Sequence, residues 1–348
     1  MSIVPLGVAH VPTSAAETQR LNFVLAPKLT LMAFTAAIEP LRLANQLAGQ
    51  ALYDWQVLSV DGAPVRCSNG VEIGVDGALT ASWPEAPLIL CSGGDPLRNI
   101  PDALPDALRY HWRRGGIVGG LCTGAYGLAR AGLLKGHRFT LHWENLPPFR
   151  ELYPELDARE TLYERDVRIW TCAGGASATD MMLAVIAEDH GTVLAQSVAD
   201  MMLHPFMRRH AERQRASPAT LIGTRNPALL TIINSVEVAL NEGCGLGGVQ
   251  IQNDLSERQV QRLFRKYLGM SPRQYIRQRQ LERARALLHE TTLSIAEVSC
   301  ATGFSCPSVM ARWFRDTYGQ SPHSFRRVRV GELDSPKNNG SRSRAPLT

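Results

Sequence analysis

The stretch Ile117-Val-Gly-Gly-Leu-Cys-Thr-Gly-Ala-Tyr126 reads as a strand entering a helix through a sharp turn of small residues, with Cys122 at its tip and Thr123 beside it. A thiol at the positive end of a helix is favoured as thiolate, and this is the layout of a nucleophile elbow. Two other stretches have the makings of pocket edges. Cys91-Ser-Gly-Gly-Asp95 follows an apolar run and can offer the backbone N–H groups of Gly93 and Gly94 to a carboxylate. Thr140-Leu-His-Trp-Glu144 offers the ring nitrogen of His142, the face of Trp143 and the acid of Glu144. His142 reads equally well as a core histidine satisfied by its neighbours. A working cysteine nucleophile needs a base and a group that orients the base. His142 is a candidate partner for Cys122 and no third member is evident, so Cys122 is read as a relic or a pocket-lining thiol and no catalytic residue is assigned.

A second chemistry lies near the carboxyl end. Leu263-Phe-Arg-Lys-Tyr-Leu-Gly-Met-Ser-Pro272 and Trp313-Phe-Arg-Asp-Thr-Tyr-Gly-Gln-Ser-Pro322 align without a gap, 50 residues apart. Such a repeat implies two copies of one supersecondary unit, each a helix ended by Gly and followed by a Ser-Pro helix start. Ahead of the second copy, Ser294-Ile-Ala-Glu-Val-Ser-Cys-Ala-Thr-Gly-Phe304 supplies a short helix with Ile295 and Val298 on one face. Ala296 is small enough for a close helix crossing, Gly303 permits the turn, and Phe304 plugs the joint. The next helix, about Pro307 to Tyr318, is expected to turn Met310, Trp313 and Phe314 inward and to leave Cys306, Ser308 and Arg312 outward. In the first copy a helix capped by Ser256 turns Val260, Leu263 and Phe264 inward. Its outer face carries Glu257, Arg258, Gln261, Arg262 and Arg265. This is helix-turn-helix grammar, in which the second helix enters the major groove. Arg can fork onto guanine and Gln onto adenine; either can instead hold phosphate.

The elements that must position these groups fall into two classes. Apolar runs at Leu21–Leu25, Trp55–Val60, Leu88–Cys91, Ile117–Leu121, Phe139–His142 and Ile169–Cys172 alternate with helical patterns at Phe34–Ala48, Pro101–Arg113, Thr123–Leu134 and Ala176–His190. Buried strands separated by amphipathic helices describe a parallel sheet covered on both faces, and such sheets bind ligands at the carboxyl ends of their strands. After about Leu203 the strand signals stop. His204 to Arg225 holds Pro205, Pro218, Arg208, Arg209, Arg213 and Arg215 and reads as the end of a domain and a linker. The expected division is a disordered lead over 1–18, an α/β parallel-sheet domain over 19–205, a linker over 206–225, an all-α domain over 226–330 and a disordered tail over 331–348.

Composition narrows the classes. From Arg225 to Val330 there are 15 Lys and Arg against 8 Asp and Glu, whereas from Met1 to Thr224 there are 19 against 22. The basic excess is confined to the helical segment, as expected of a polyanion-binding domain. No apolar run is long enough to span a membrane, and the amino terminus lacks the plan of a signal peptide. Seven scattered cysteines without a Cys-x-x-Cys pair argue for a reducing, cytoplasmic setting and against disulfides or a zinc site. No metal and no cofactor are expected. Cys67, Cys172, Cys244 and Cys300 are read as packing residues.

Asn226 to Arg327 resembles the double helix-turn-helix domain of the AraC family, on Ile295-Ala-Glu-Val, Gly303-Phe304, Trp313-Phe314-Arg315, Gly319 and Ser321-Pro322. The resemblance implies a long joining helix, here Pro272–Leu288, that holds two recognition helices about one DNA turn apart. One departure is Leu246-Gly-Gly-Val249-Gln250, where the family has Leu-x-x-Leu-Ala, which loosens the first unit. Leu21 to Leu203 resembles the flavodoxin-like, class I glutamine-amidotransferase-like fold of the PfpI-type superfamily. This rests on Gly124, Leu128-Ala-Arg-Ala-Gly-Leu-Leu134, Thr171-Cys-Ala-Gly-Gly-Ala176 and Asp180. Enzymes of that superfamily commonly carry His where this chain has Thr123.

In this order the two domains resemble the amidotransferase-like subgroup of AraC regulators. Glu39-Pro-Leu-Arg-Leu-Ala-Asn-Gln-Leu-Ala-Gly49, Tyr53-Asp-Trp55 and Leu58-Ser-Val-Asp-Gly62 resemble members that control glycine betaine, carnitine or arginine catabolism. The resemblance implies a homodimeric transcription activator that meets promoter DNA and RNA polymerase. Its front domain would sense an amino-acid-like or quaternary-amine effector such as betaine, carnitine or arginine. Trp143 would suit a cation–π contact with a trimethylammonium group or is plain core, and Glu39 either faces the pocket or supports its helix. The alternative is a cysteine-dependent hydrolase or amidotransferase-like enzyme with an appended DNA-binding domain.

Overall fold

The computed structural model describes residues 17–204, 206–215, 219, 222–241 and 255–327. The chain divides into two compact units, Met1–Arg225 and Asn226–Thr348. The expected lead and tail, Cys244, and the Leu246–Gln250 departure lie outside the described residues, apart from positions 17 and 18 of the lead.

In chain order the front unit contains β1 (Gln19–Leu25), α1 (Leu31–Ala48), β2 (Tyr53–Ser59), β3 (Val65–Arg66), β4 (Glu72–Ile73), β5 (Gly77–Ala78), β6 (Leu88–Cys91), α2 (Pro96–Asn99), α3 (Ala103–Arg113), β7 (Val118–Leu121) and α4 (Ala125–Arg130). It continues with β8 (Phe139–Thr140), α5 (Leu146–Leu152), β9 (Ala158–Arg159), β10 (Tyr163–Asp166), β11 (Ile169–Cys172), α6 (Ser177–His190) and α7 (Thr192–Met201). The main sheet has seven strands in the order β10-β11-β7-β6-β1-β2-β5. Its neighbouring strands run parallel except β10 with β11. Successive side chains of a strand point to opposite faces, and the sequence exploits this. Phe23, Leu25, Ile89 and Cys91 pack beneath α1, α6 and α7, whereas Val24, Leu88, Leu90 and Val118 pack with α3, α4 and α5 residues. Both faces are therefore covered, as the near-continuous apolar strands require.

Two expectations need correction. Phe139–His142 is not a strand of this sheet. Only Phe139–Thr140 is extended, and it pairs with β9 in a separate two-stranded ladder. The helix expected over Thr123–Leu134 is α4 alone, because the chain leaves the helix at Gly132, whose φ of +73° belongs to the left-handed region.

The second unit contains α8 (Pro227–Asn241), α9 (Glu257–Leu268), α10 (Pro272–Glu290), α11 (Ile295–Ala301) and α12 (Pro307–Tyr318), and residues 322–327 are again helical. The starts of α9, α10 and α11 are capping boxes, Ser256 with Gln259, Ser271 with Gln274 and Ser294 with Glu297. In each, a serine hydroxyl and the side chain three residues on satisfy first-turn N–H groups reciprocally. α9 and α12 end alike at left-handed glycines, Gly269 and Gly319. The repeat seen in the sequence is thus a repeat of helix, cap and turn. Leu281, Ala284, Leu287 and Leu288 of α10 form one core with Val298, Phe304, Met310 and Phe314. Each large apolar side chain so buried contributes about 1.5–3 kcal/mol relative to leaving it in water.

Candidate effector and DNA sites

The parallel strands β1, β6, β7 and β11 end on the same edge of the sheet, and the segments that follow them meet around Cys122. At the end of β7 the turn is too tight for side chains. A Cβ on Gly120 would fall 2.7 Å from the Gly124 carbonyl carbon, and one on Gly124 would fall 2.6 Å from the Leu90 oxygen. Cys122 itself is held at φ +59°, a conformation costly for a non-glycine residue. Its N–H donates to the Cys172 carbonyl at 3.0 Å and its carbonyl accepts from the His142 N–H at 3.2 Å. The thiol lies 3.5 Å from the Thr30 hydroxyl, which arrives from the segment after β1. Gly174, after β11, must be glycine, since a Cβ there would sit 2.7 Å from the Cys122 Cβ. Thr30 and Gly174 are site neighbours that the sequence reading missed. Only the sheet order brings them beside the elbow.

The other elbow residues have settled roles. Thr123 is 2 % exposed, and its hydroxyl donates to the Gly93 carbonyl at 2.7 Å. Gly93 tolerates no side chain, because a Cβ would lie 2.4 Å from the Lys28 oxygen. The Gly94 N–H donates to that same Lys28 oxygen at 3.1 Å. It is therefore engaged by the protein, and the expectation that it points toward a ligand carboxylate is corrected. Burial pushes the Cys172 thiol up to about 12 and raises Cys91 as well, so both stay neutral packing groups.

His142 is half-buried, with its ring 5.5 Å from that of Trp143. Trp143 is 38 % exposed, so it is not plain core, and the Arg215 guanidinium sits 4.6 Å from its ring centre. Glu144 is exposed one residue further on. Glu39 pairs with Arg42 on the same helix at 2.8 Å. Cys122, Thr123, His142 and Gly93 are brought together; Glu39 is tied elsewhere. Among the described residues no group of three or more His, Cys, Asp or Glu is placed to hold a metal.

In the second unit the outward residues of α9 are those its spacing demands. Val260 and Phe264 are buried, and Glu257, Arg258, Gln261, Arg262 and Arg265 are exposed. On α12, Met310 and Phe314 are fully buried and Ser308 and Arg312 are exposed. Cys306 precedes the helix with its sulfur 3.1 Å from the Ser308 hydroxyl. That contact and the Val309 backbone hold its thiol below the usual range. Trp313, expected inward, is 38 % exposed and lies with the guanidinium groups of Arg277 at 5.1 Å and Arg312 at 5.9 Å from its ring. Ala296, expected at a close helix crossing, is exposed, whereas Ser299 of the same helix is 1 % exposed. Cys300, expected in the core, is exposed. The sequence reading also missed Gln280 of α10. It is fully buried, and its amide donates to the Thr302 and Gly303 carbonyls, both at 3.0 Å. The long helix thereby braces the turn between α11 and α12.

The two units match separate family models. A helix-turn-helix domain model matches residues 252–328, and a DJ-1/PfpI family model matches residues 20–188. The chain is 39% identical to the HTH-type transcriptional regulator CdhR of Pseudomonas aeruginosa, over 88% of this chain and 91% of that one. It is 34% identical to the HTH-type transcriptional regulator GbdR of the same organism, over 91% of this chain and 86% of that one. A crystal structure of a THiJ/PfpI family protein from Pseudomonas syringae superposes with a TM-score of 0.50 at 16% identity, covering 66% of this chain and 90% of that one, which speaks to fold alone.

Proposed function

From the premise that this chain belongs to the AraC-type HTH transcriptional regulators with a DJ-1/PfpI front domain, we propose that its front unit is a sensor of an amino-acid-like or quaternary-amine metabolite whose catabolic genes it activates. The chain is a DNA-binding regulator and not an enzyme; the relatives that share both units are regulators by name. The sensing site is the edge around Cys122, His142, Trp143, Glu144 and Gly93. The exposed aromatic face of Trp143 supports a cationic effector such as betaine, carnitine or arginine, since a cation over an indole gains about 0.5–2 kcal/mol. Arg215 on that ring in this structure illustrates the chemistry the ring accepts.

The observation that carries the DNA reading is the matched pair α9 and α12, each with a polar or basic outer face and each ended by a left-handed glycine. Arg258, Gln261, Arg262 and Arg265 of the first and Ser308 and Arg312 of the second meet base edges and phosphates; Glu257 and Cys306 flank them. The protein works as a homodimer in the cytoplasm and recruits RNA polymerase. An effector biases one arrangement of the dimer only by binding it better than the other.

Two measurements test this. Anisotropy with a genomic fragment selected by the full-length protein should give binding that weakens steeply with salt, log K falling by about 0.9 per phosphate contact for each decade. Calorimetry of the same protein with glycine betaine, carnitine, choline and arginine should find at least one that binds and alters the DNA affinity. Salt-insensitive binding without sequence preference would remove the first half of the reading, and no heat from any of the four compounds the second.

A further inference from the structure

The segment that leaves the front unit is fastened at two places. First, His204 and Arg208 close on Asp180 of α6, whose side chain is wholly buried. Arg208 donates to it through Nε at 3.0 Å, Nη2 at 2.6 Å and its backbone N–H at 3.0 Å, and the His204 ring contacts it at 2.9 Å. Second, the His210 carbonyl accepts from the Leu162 N–H at 3.0 Å, Arg213 bridges to Thr161, and Gln214 then makes the densest attachment. Its Oε1 accepts from the Trp143 N–H at 2.7 Å. Its Nε2 faces the Thr161 carbonyl at 2.8 Å, the Leu141 carbonyl at 2.9 Å and the Thr140 hydroxyl at 3.1 Å. The loop so gripped is the one whose His142 N–H donates to the Cys122 carbonyl. A continuous path therefore runs from Cys122 through His142 and Trp143 to Gln214, eleven positions before the last residue of the front unit, Arg225.

We propose that Gln214 is the positioning residue through which the effector site controls the connector, and through it DNA affinity. The inference rests on the sensor reading above. An amide holds this many partners only while the loop and the strand ends keep their geometry, since hydrogen bonds weaken steeply with misalignment. An effector seated against His142 and Trp143 acts on the residue whose N–H Gln214 accepts. A cation on the Trp143 face also takes the place of Arg215, the neighbour of Gln214. Both effects loosen the connector at the same point. Coupling two sites requires an element with two arrangements that the effector biases by contact, and on this proposal the Gln214 latch takes that part, fastened as seen here and released in the other.

The test uses full-length protein with Gln214→Ala and Gln214→Glu. The glutamate keeps an acceptor for the Trp143 N–H but sets an oxygen against the Leu141 and Thr161 carbonyls. The dissociation constant for a selected promoter fragment is measured alone and with glycine betaine, carnitine, choline or arginine, and calorimetry follows each compound separately. We expect the effector-free constant to move by about fivefold or more in at least one variant, a coupling of ordinary size. A compound that shifts the wild type should still bind the variants but no longer change their DNA affinity. A merely structural glutamine would not separate effector binding from DNA response in this way. Effector-free constants within about twofold of wild type in both folded variants overturn the proposal, that being less than coupled sites show. If no compound acts on the wild type, the sensor reading fails for this ligand class, while the effector-free comparison still decides the role of Gln214.

Discussion

Replacing Arg208 with alanine should destabilise the front unit far more than replacing an exposed paired arginine such as Arg42. The Asp180 carboxylate has no exposure at all, and the Arg208 side chain keeps 32 %. The substitution deletes two of the contacts on Asp180 and leaves a buried charge with the Arg208 N–H and the His204 ring. Breaking a buried pair by removing one partner typically costs about 3–5 kcal/mol, and the partial exposure of Arg208 argues for the lower end, about 3 kcal/mol. In a unit of this size each kcal/mol moves the unfolding midpoint by about 2–4 °C, so a fall of about 6–12 °C is expected. Tryptophan fluorescence suits the measurement, because Trp55, Trp83, Trp112, Trp143 and Trp170 lie in the front unit and only Trp313 in the second. Arg42→Ala is the control. Its pair with Glu39 is 40 % and 46 % exposed, and an exposed pair is worth about 0–1 kcal/mol. If Arg208→Ala shifts the midpoint no more than Arg42→Ala does, Asp180 is not the anchor of the connector and the argument from burial fails.

Gln280→Leu strands the Thr302 and Gly303 carbonyls and should cost the second unit about 1–3 kcal/mol, read by chemical denaturation, with weaker promoter binding at the same time. Arg312→Ala should lower specific binding by about 1–3 kcal/mol if it reads a base, and evenly across sequences with a shallower salt slope if it holds phosphate. Arg262→Ala should behave likewise, and full wild-type footprint protection with both removed would refute the placement of the recognition faces. Cys306 should alkylate with a midpoint pH below that of an ordinary thiol, because its lowered pKa makes thiolate abundant at lower pH. Bound promoter DNA should protect it, and unchanged labelling in the complex would remove Cys306 from the interface.

Much of this organisation was legible in the residues themselves, where the signal was local. Apolar runs located the strands β6 and β11 to the residue, and the Gly-Ser-Pro repeat located the ends of α9 and α12. Small residues on both sides of Cys122 announced the elbow, since only glycine fits at 120 and 124. What could not be read depends on contacts between distant positions. The Gly94 N–H meets Lys28 because β1 and β6 are neighbours, an order that no periodicity encodes. Helical spacing puts Trp313 next to Phe314 on one stripe, but the stripe is narrower than the pattern suggests, and two arginines hold the indole at its rim. Polarity made 206–215 look like a free linker, whereas its polar side chains find partners on the front unit.

The sealed amide of Gln280 has a consequence for DNA reading. Slipping α10 by one residue would bring Leu281 or Arg279 to the carbonyls that Gln280 now satisfies: the leucine offers them no donor, and the arginine would have to leave Glu237, to which its Nε donates at 2.7 Å, and carry a charge into the buried turn. Such a slip is disfavoured out of proportion to the size of the movement. One side chain thereby works as a locating pin, holding the turn before α12 at one place along α10 and, on the DNA reading proposed above, keeping the stretch of duplex between the two grips at a constant length.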